Sequence, residues 1–209
     1  MTVDLAPTRR ERKKQATRHA IHKAAMELAE ERGLHGVTVE AISERADVAP
    51  RTFWAYFRSK EDAVLGTDHE RPEALRAALL ARPAGEDAFT ALRQVIVTDI
   101  LNRCADTEQS LRRFALVRRE PALLEAMAAN HEEINRSLVA AVAERRGEDP
   151  KEDLYPTLVV SAGMAALKAA QMVWTDRRGK HSLEALLADA FDQVAAGLAS
   201  PRATTRRTR

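Results

Sequence analysis

The sequence predicts an all-α protein in which a small group of helices precedes a larger helical bundle. Only 4% of the 209 residues are aromatic, whereas alanine, leucine, glutamate and arginine, which favour helices, recur throughout the chain. Apolar residues return at intervals of three and four, and no segment shows the polar–apolar alternation of a half-buried strand. These observations predict about nine helices, divided between an N-terminal three-helix head and a C-terminal bundle.

The first helix is predicted to begin at Arg9, after a disordered leader at residues 1–8. Gly33 follows a charged helical turn and is expected to end this helix in the left-handed conformation. The apolar stripe of the helix, spaced at three and four residues, consists of Ile21, Ala24, Ala25 and Leu28.

Three further helix starts follow in the head. Thr38 and Ser59 are residues that favour the N-cap position, so each is expected to precede a helix. Pro50 fits the first position of a helix, because its missing N–H group is not needed there. The helix that begins at Pro50 is predicted to run to Phe57.

The rest of the chain is predicted to form longer helices separated by loops. The longest apolar run, Leu158–Trp174, contains Lys168 and Gln171 and is shorter than the ~20 residues that span a bilayer, so it is interpreted as a buried helix. Ser182 is the expected N-cap of the last helix. The expected loops and the expected basic, disordered tail are at residues 71–72, 82–85, 120–121, 147–150 and 200–209.

Charge is distributed unevenly along the chain. Residues 1–60 carry a net charge of +4, residues 61–199 carry −6, and the last ten residues carry +4. Such asymmetry indicates that the N-terminal part binds a polyanion, although a solvated charged surface is the alternative. The basic run near the N-terminus either contacts DNA or forms a solvated arm, and the same alternatives hold for the C-terminal arginines. This run comprises Arg9, Arg10, Arg12, Lys13, Lys14 and Arg18.

The most informative stretch runs from Thr38 to Lys60 and predicts two short helices joined by a tight turn: TVEAISERADVAPRTFWAYFRSK. This is the arrangement of a helix-turn-helix, whose second helix enters the major groove of DNA. The apolar positions that would form one small core with the preceding helix are Val39, Ile42, Ala46, Val48, Phe53 and Phe57, together with Ala25 and Leu28.

The remaining positions of the motif carry side chains suited to DNA. Arg51 can form a bidentate pair with guanine, the commonest specific side-chain contact. Lys60 and Thr38 stand at helix starts, where a phosphate also meets free backbone N–H groups. Trp54 lies at the edge of the predicted core, so two alternatives remain for it: packing against that core and contact with DNA.

Residues 18–65 resemble the DNA-binding head of the tetracycline-repressor (TetR) family in order, spacing and residue type: R-x-x-I-x-x-A-A-x-x-L-A-x-x-x-G, then T-V-E-x-I-S-x-x-A-D-V-A-x-R-T-F-W-x-Y-F-x-S-K-E-D. Asp47 stands where that family usually has glycine, and Ala49 replaces the usual serine. The DNA contacts that the resemblance implies are Thr38, Pro50, Arg51, Thr52, Trp54, Tyr56 and Lys60.

The resemblance implies a cytoplasmic, homodimeric repressor that a small-molecule effector releases from a palindromic operator. The DNA-binding domain would comprise residues 9–60, and the domain for ligand binding and dimerisation residues 61–199. The helical pattern of residues 66–199 resembles a mycofactocin-regulator-like subgroup, which implies an acyl-CoA-like effector. Two alternatives remain: a small-molecule-binding helical enzyme, and a constitutive DNA-binding protein without an effector.

An effector site is predicted inside the C-terminal bundle, because such sites are mostly apolar with a few placed polar groups. An ordinary packed core is the alternative for each of these residues. The helix expected from Lys60 toward His69 leaves the head directly and is predicted to couple this site to DNA binding. The predicted lining is Phe89, Leu92, Ile96, Asp99, Arg103, Phe114, Met127, His131, Met164, Leu167, Gln171 and Trp174.

The dimer is predicted to form through the two long helices at residues 154–174 and 182–198, whose small-residue and leucine stripes suit helix packing. Ala166 and Leu187 lie on these stripes, and charged substitutions there are predicted to give monomers.

The sequence favours no catalytic function. It contains no P-loop, no G-x-S-x-G elbow and no strand followed by a G-x-G-x-x-G loop. His19 and His22 are spaced for a metal but lack a third ligand, so both are interpreted as surface residues. Cys104, the only cysteine, is interpreted as a small buried residue. We therefore expect no enzyme, no metal, no cofactor and no membrane partner.

Overall fold

A computed structural model describes residues 8–198 of the chain and confirms the predicted all-α class. Within this range it contains ten α-helices, one 3-10 turn (Leu34–Gly36) and no strand. Thr8 is the N-cap of the first helix, whereas the rest of the predicted leader and the predicted basic tail lie outside the described residues. The helices are α1 Arg9–Arg32, α2 Val39–Arg45, α3 Pro50–Trp54, α4 Lys60–Leu65, α5 Arg71–Leu80, α6 Ala88–Arg103, α7 Thr107–Arg119, α8 Pro121–Arg146, α9 Leu154–Asp176 and α10 Leu183–Ala195.

The chain divides into two compact units that do not follow its order. The first unit joins Met1–Arg71 with Arg112–Glu133, and the second joins Pro72–Leu111 with Ile134–Arg209. The first unit therefore includes the C-terminal part of α7 and the N-terminal part of α8, beyond the residues 9–60 expected for the head. The apolar side chains that these parts bury in its core are Leu116, Val117 and Leu123.

Most predicted helix ends are confirmed, although the loop expected at residues 71–72 is wrong, because α5 begins at Arg71. Gly33 ends α1 with a φ of 69°, and its N–H group bonds to the carbonyl of Ala29. The hydroxyls of Thr38, Ser59 and Ser182 accept backbone N–H groups at the starts of α2, α4 and α10, as expected for N-cap residues.

Three expectations about the head are wrong. The helix predicted to run from Pro50 to Phe57 ends at Trp54, with Ala55 as its C-cap. The helix predicted from Lys60 toward His69 ends at Leu65, because Gly66 adopts the left-handed conformation with a φ of 65°. A Cβ at Gly66 would also lie 3.1 Å from the ring of His22. His22 is buried rather than on the surface, since its Nδ1 lies 2.8 Å from the carbonyl oxygen of Ala63.

The second unit is organised around α9, which packs against α6 and α10. Gly163 allows this approach, because a Cβ there would lie 2.8 Å from Leu92 Cδ2. Phe89 of α6 and Phe191 of α10 are in contact, with ring centroids 5.7 Å apart. By length and composition alone, α9 is the one described helix apolar enough to cross a membrane, a test that core helices of soluble proteins also pass.

Candidate nucleic-acid interface

The helix-turn-helix turn depends on Asp47, which takes the backbone conformation that glycine usually provides. Its φ is 53°, and the N–H groups of Asp47 and Val48 bond to the carbonyls of Glu44 and Ser43. Aspartate accepts left-handed angles better than most residues, so the turn keeps its geometry without glycine. Ala49, the second departure from the family pattern, caps α3 without a side-chain hydrogen bond.

Helix α3 has one face in the core and the opposite face in solvent. Phe53 and Phe57 are buried, as predicted. Pro50 and Arg51 are exposed, whereas Thr52 and Tyr56 are half-buried. The outer face of α3 therefore presents predicted DNA-binding residues.

Trp54 on this face is 57% exposed, yet its ring contacts that of Phe53 in a perpendicular arrangement, with centroids 5.2 Å apart. Because the buried Phe53 supports one side of the indole, Trp54 is an exposed aromatic side chain with a restricted position. This geometry leaves most of the ring available to a partner.

Lys60 and Thr38 are brought together at the starts of α4 and α2. The Lys60 ammonium donates hydrogen bonds to the carbonyl oxygens of Leu34 (2.9 Å) and Val37 (3.1 Å), directly before Thr38. An ammonium has three N–H groups, so one remains for a phosphate after these two bonds. Lys60 therefore connects the start of α4 to the turn that precedes α2.

Ion pairs hold the helices of the first unit around this surface. Arg45 at the end of α2 donates two hydrogen bonds to Glu31 of α1, at 2.6 and 2.9 Å. The side-chain bond from Arg45 holds the pKa of the Glu31 carboxyl below its ordinary value. Arg18 donates to the carbonyl of Thr67 at 2.7 Å and pairs with Asp68 at 3.0 Å.

Sequence reasoning missed the part that residues 112–133 play in the head. Glu120, between α7 and α8, accepts the backbone N–H of Leu34 at 3.4 Å, and Arg112 lies 3.5 Å from Glu30. These contacts join α7 and the start of α8 to the end of α1 and to the 3-10 turn before α2. The sequence showed only an apolar spacing in this segment and a loop at Glu120-Pro121, because its partners are more than 80 residues away.

The twelve predicted effector-binding residues fall into both units. Phe114, Met127 and His131 belong to the first unit and are half-buried. In the second unit, the buried residues are Leu92, Ile96, Leu167 and Trp174, and the half-buried ones are Phe89, Asp99, Arg103, Met164 and Gln171.

The second unit contains an open cleft of about 380 Å³, of whose lining only Trp174 was predicted. Cys104 also lines this cleft and is buried, as predicted. The effector site itself stays a prediction. In the part of the chain that the structure describes, no group of three or more His, Cys, Asp or Glu side chains could hold a metal ion. The cleft is lined by Leu101, Cys104, Ala105, Thr107, Trp174, Gly179, Lys180, His181, Ser182, Leu183 and Glu184.

Comparison with known proteins decides the family. Residues 21–65 match the model of bacterial regulatory proteins of the tetR family, and residues 86–199 match the model of the MftR C-terminal domain. The HTH-type transcriptional regulator TcmR of Streptomyces glaucescens is 34% identical over 187 residues, which cover 86% of this chain and 82% of the relative. The chain belongs to the TetR family. It is a transcriptional regulator and not an enzyme, as predicted.

Solved structures share the fold. The SmeT–triclosan complex matches with a TM-score of 0.59 at 19% identity, over 88% of this chain and 91% of that one. FadR from Bacillus subtilis, in complex with stearoyl-CoA, matches with a TM-score of 0.54 at 20% identity, over 86% and 98%. The helix-turn-helix described above lies within residues 21–65, which match the tetR-family model.

Proposed function

We propose that this regulator is a homodimeric repressor that binds a palindromic operator in the cytoplasm and is released by an apolar or amphiphilic effector. The observation that carries the proposal is the outer face of α3, where Arg51 and Trp54 are exposed above the buried Phe53. A side chain held on a packed helix can contact base edges without first being ordered. Thr38, Tyr56 and Lys60 supply the phosphate contacts beside it.

Two copies are needed because one short helix contacts only a few base pairs. In a two-fold dimer the two α3 helices bind half-sites about 34–36 Å apart, one turn of DNA, or a multiple of that distance. The operator is therefore an inverted repeat.

The outer face of α9 supports the second copy. Only 39% of the most apolar part of α9 is buried, and Leu158 and Met172 are 56% and 50% exposed. Leu158, Ala165 and Met172 follow one another at seven-residue intervals and are all exposed, so they form one apolar stripe along the helix. A symmetry-related α9 covers this stripe in the proposed dimer.

Ala166 and Leu187, the positions expected to test the dimer, are buried in the chain's own core. Charges at these two positions would unfold the subunit, so the exposed stripe provides the better test. Leu158→Arg combined with Met172→Arg places like charges across the proposed interface and should give monomers in light scattering with an unchanged helical circular dichroism spectrum. The control is Leu124→Arg, an exposed leucine of the first unit, which should stay dimeric. A dimeric double variant would exclude this face.

The structural relatives support an apolar or amphiphilic effector, since the two ligands named with them are triclosan and stearoyl-CoA. A ligand shifts DNA affinity only through its different affinities for the two states of the protein. By linkage, operator DNA must weaken effector binding by the same factor.

Selection from a pool of random duplexes tests the proposal. We expect enrichment of an inverted repeat, and a pool without an enriched sequence would contradict operator binding. Calorimetric titration of stearoyl-CoA with and without the selected operator then tests the effector class. Equal affinities would exclude that compound as an inducer.

A further inference from the structure

Helix α1 extends well beyond the core of the first unit. Its first buried residue is Ile21, and none of the described residues 9–20 is buried. Twelve residues of α-helix measure about 18 Å. This extension, the N-terminal half of α1, therefore adds no fully buried side chain to the core of the head, and its first five residues are all exposed.

The composition of this extension opposes its own helix. Five of the six residues from Arg9 to Lys14 are basic, at the helix end where the macrodipole disfavours positive charge. Arg9 and Lys13 are also like charges four residues apart, which weakens a helix further. Sequences that break a local rule in this way are expected at functional sites.

A capping box holds the helix start despite these charges. The Thr8 hydroxyl accepts the N–H of Glu11 at 3.2 Å, and the Thr8 N–H donates to the Glu11 carboxylate at 2.7 Å. The backbone bond from Thr8 holds the pKa of the Glu11 carboxyl below its ordinary value. The basic side chains thus stand on an ordered helix.

The basic residues divide between two faces of α1. Lys14 donates to Glu70 at 2.6 and 2.8 Å, and Arg18 pairs with Asp68, so these two bind the segment after α4. At about 100° of rotation per residue, Arg9, Arg12 and Lys13 share the opposite face, and all three are exposed. The cations on this opposite face are available to a partner.

Arg18 links helix α1 to the end of the helix-turn-helix. Its guanidinium lies over the ring of Phe57, 5.2 Å from the centroid, and Phe57 comes directly after Tyr56 at the end of the helix-turn-helix. Arg9, Arg12 and Lys13 precede Arg18 by roughly 8–14 Å along the helix axis. The extension therefore begins beside the end of the motif and leads away from it.

We propose that Arg9, Arg12 and Lys13 bind backbone phosphates of the duplex beside the base pairs that α3 contacts. This inference rests on the proposed operator binding and adds a second contact surface to it. Phosphates suit the surface because their charge is regular and because each contact releases condensed counterions. An anionic membrane is less suited, since this face of the extension lacks the large apolar side chains that enter a bilayer.

Salt-dependent binding tests the proposal with a 40-bp duplex of random sequence, which needs no knowledge of the operator. The variant Arg9→Gln, Arg12→Gln, Lys13→Gln should bind with a slope of log affinity against log salt that is smaller by about 2.7 per bound protomer, at ~0.9 per phosphate. The matched control, Lys151→Gln, Arg178→Gln, Lys180→Gln, removes the same charge from exposed positions of the second unit and should keep the wild-type slope.

The outcomes separate this inference from the proposed function. Wild-type protein that enriches no operator and binds no duplex would overturn both. Wild-type protein that binds, with equal slopes for the α1 variant and the control, would overturn the α1 contact alone. Vesicles containing phosphatidylserine provide the other arm: loss of vesicle binding with an unchanged DNA slope would also overturn it.

Discussion

The two compact units use the same physical devices for different ends. Each buries a phenylalanine completely, Phe53 in the first and Phe191 in the second. Each uses one cation to bind backbone carbonyls, Lys60 in the first and Arg145 in the second. In the first unit these devices fix an exposed polar surface, whereas in the second they stabilise an apolar bundle.

This difference explains why the sequence predicts more of the structure of the first unit than of the second. In the proposed function the first unit holds Arg51, Trp54 and Lys60 at fixed separations, which requires its caps and its turn at a fixed spacing. The second unit needs only apolar residues of fitting size, and many sequences satisfy that requirement. Matched substitutions in the two units test this contrast.

The largest effect is expected from the buried rings. Phe53→Ala and Phe191→Ala should each lower the free energy of unfolding by about 3–5 kcal/mol, because each leaves a cavity in a packed core. Trp54 and Trp174 lie in different units, so the variants Trp54→Phe and Trp174→Phe each leave one fluorescent reporter. Urea unfolding should show Phe53→Ala acting mainly on the Trp54 signal. Equal shifts of both signals would show that the units unfold together.

The next largest effect is expected from the two carbonyl-binding cations. Arg145 donates to the carbonyls of Leu79 and Arg82 at 3.1 and 2.8 Å, and also to those of Pro83 and Glu86. Bonds from charged groups contribute about 1.5–3 kcal/mol, so Arg145→Met should destabilise the protein more than Lys60→Met, which loses two such bonds.

Of these two substitutions, only Lys60→Met should change DNA binding. It should reduce the slope of log affinity against log salt by about one unit. Arg51→Ala is the complementary variant: it should leave stability unchanged and lose about 1–3 kcal/mol of discrimination at one base pair. Equal effects of Arg51→Ala on operator and random DNA would remove its base-contacting role.

A smaller effect is expected at Asp47 and Arg178, two of the three described residues other than glycine that have left-handed backbone angles. Asp47 has a φ of 53° and Arg178 a φ of 51°. Left-handed angles cost an L-residue roughly 1–2 kcal/mol, so Asp47→Gly and Arg178→Gly should each stabilise the protein by about 1 kcal/mol or less. Thermal unfolding measures both. A loss of stability in either variant would show that its side chain makes a compensating contact.

The smallest effect concerns two carboxylates paired with arginines. The hydrogen bond from Arg45 lowers the pKa of Glu31, and that from Arg82 lowers the pKa of Glu86, from an ordinary value of 4.5. A lowered folded-state pKa stabilises the protein above the unfolded-state value, and this contribution is lost as the pH falls through the folded-state pKa. Glu31→Gln and Glu86→Gln should therefore flatten the stability profile below about pH 4.5. Profiles parallel to that of the wild type would contradict the pairing.

Local signals in the sequence predicted what depends on neighbouring residues. Thr38, Ser59 and Ser182 were identified as N-caps because such caps act within three residues. The buried Phe53 and Phe57 followed from helical spacing. These features gave the fold class and the helix-turn-helix.

Features that depend on distant residues could not be predicted in the same way. His22 is buried, and a hydrogen-bond partner of its Nδ1 is the carbonyl oxygen of Ala63, 41 positions away. Gly66 is itself a local signal for the end of a helix, but the prediction of a continuous helix from Lys60 toward His69 did not take it into account. Predicting the effector site requires knowing which apolar side chains leave a cavity between them. The spacing of apolar residues along a helix shows only which of them face inward.

The discontinuous first unit has a consequence for protein engineering. A chimera that joins residues 1–71 to the effector domain of another regulator would leave Leu116, Val117 and Leu123 behind. The transplanted helix-turn-helix would then expose an apolar surface and lose the contact between Glu120 and the Leu34 N–H. A chimera built from this protein must therefore carry residues 112–133 with the head, so the second unit is exchangeable only with additional crossover points inside α7 and α8.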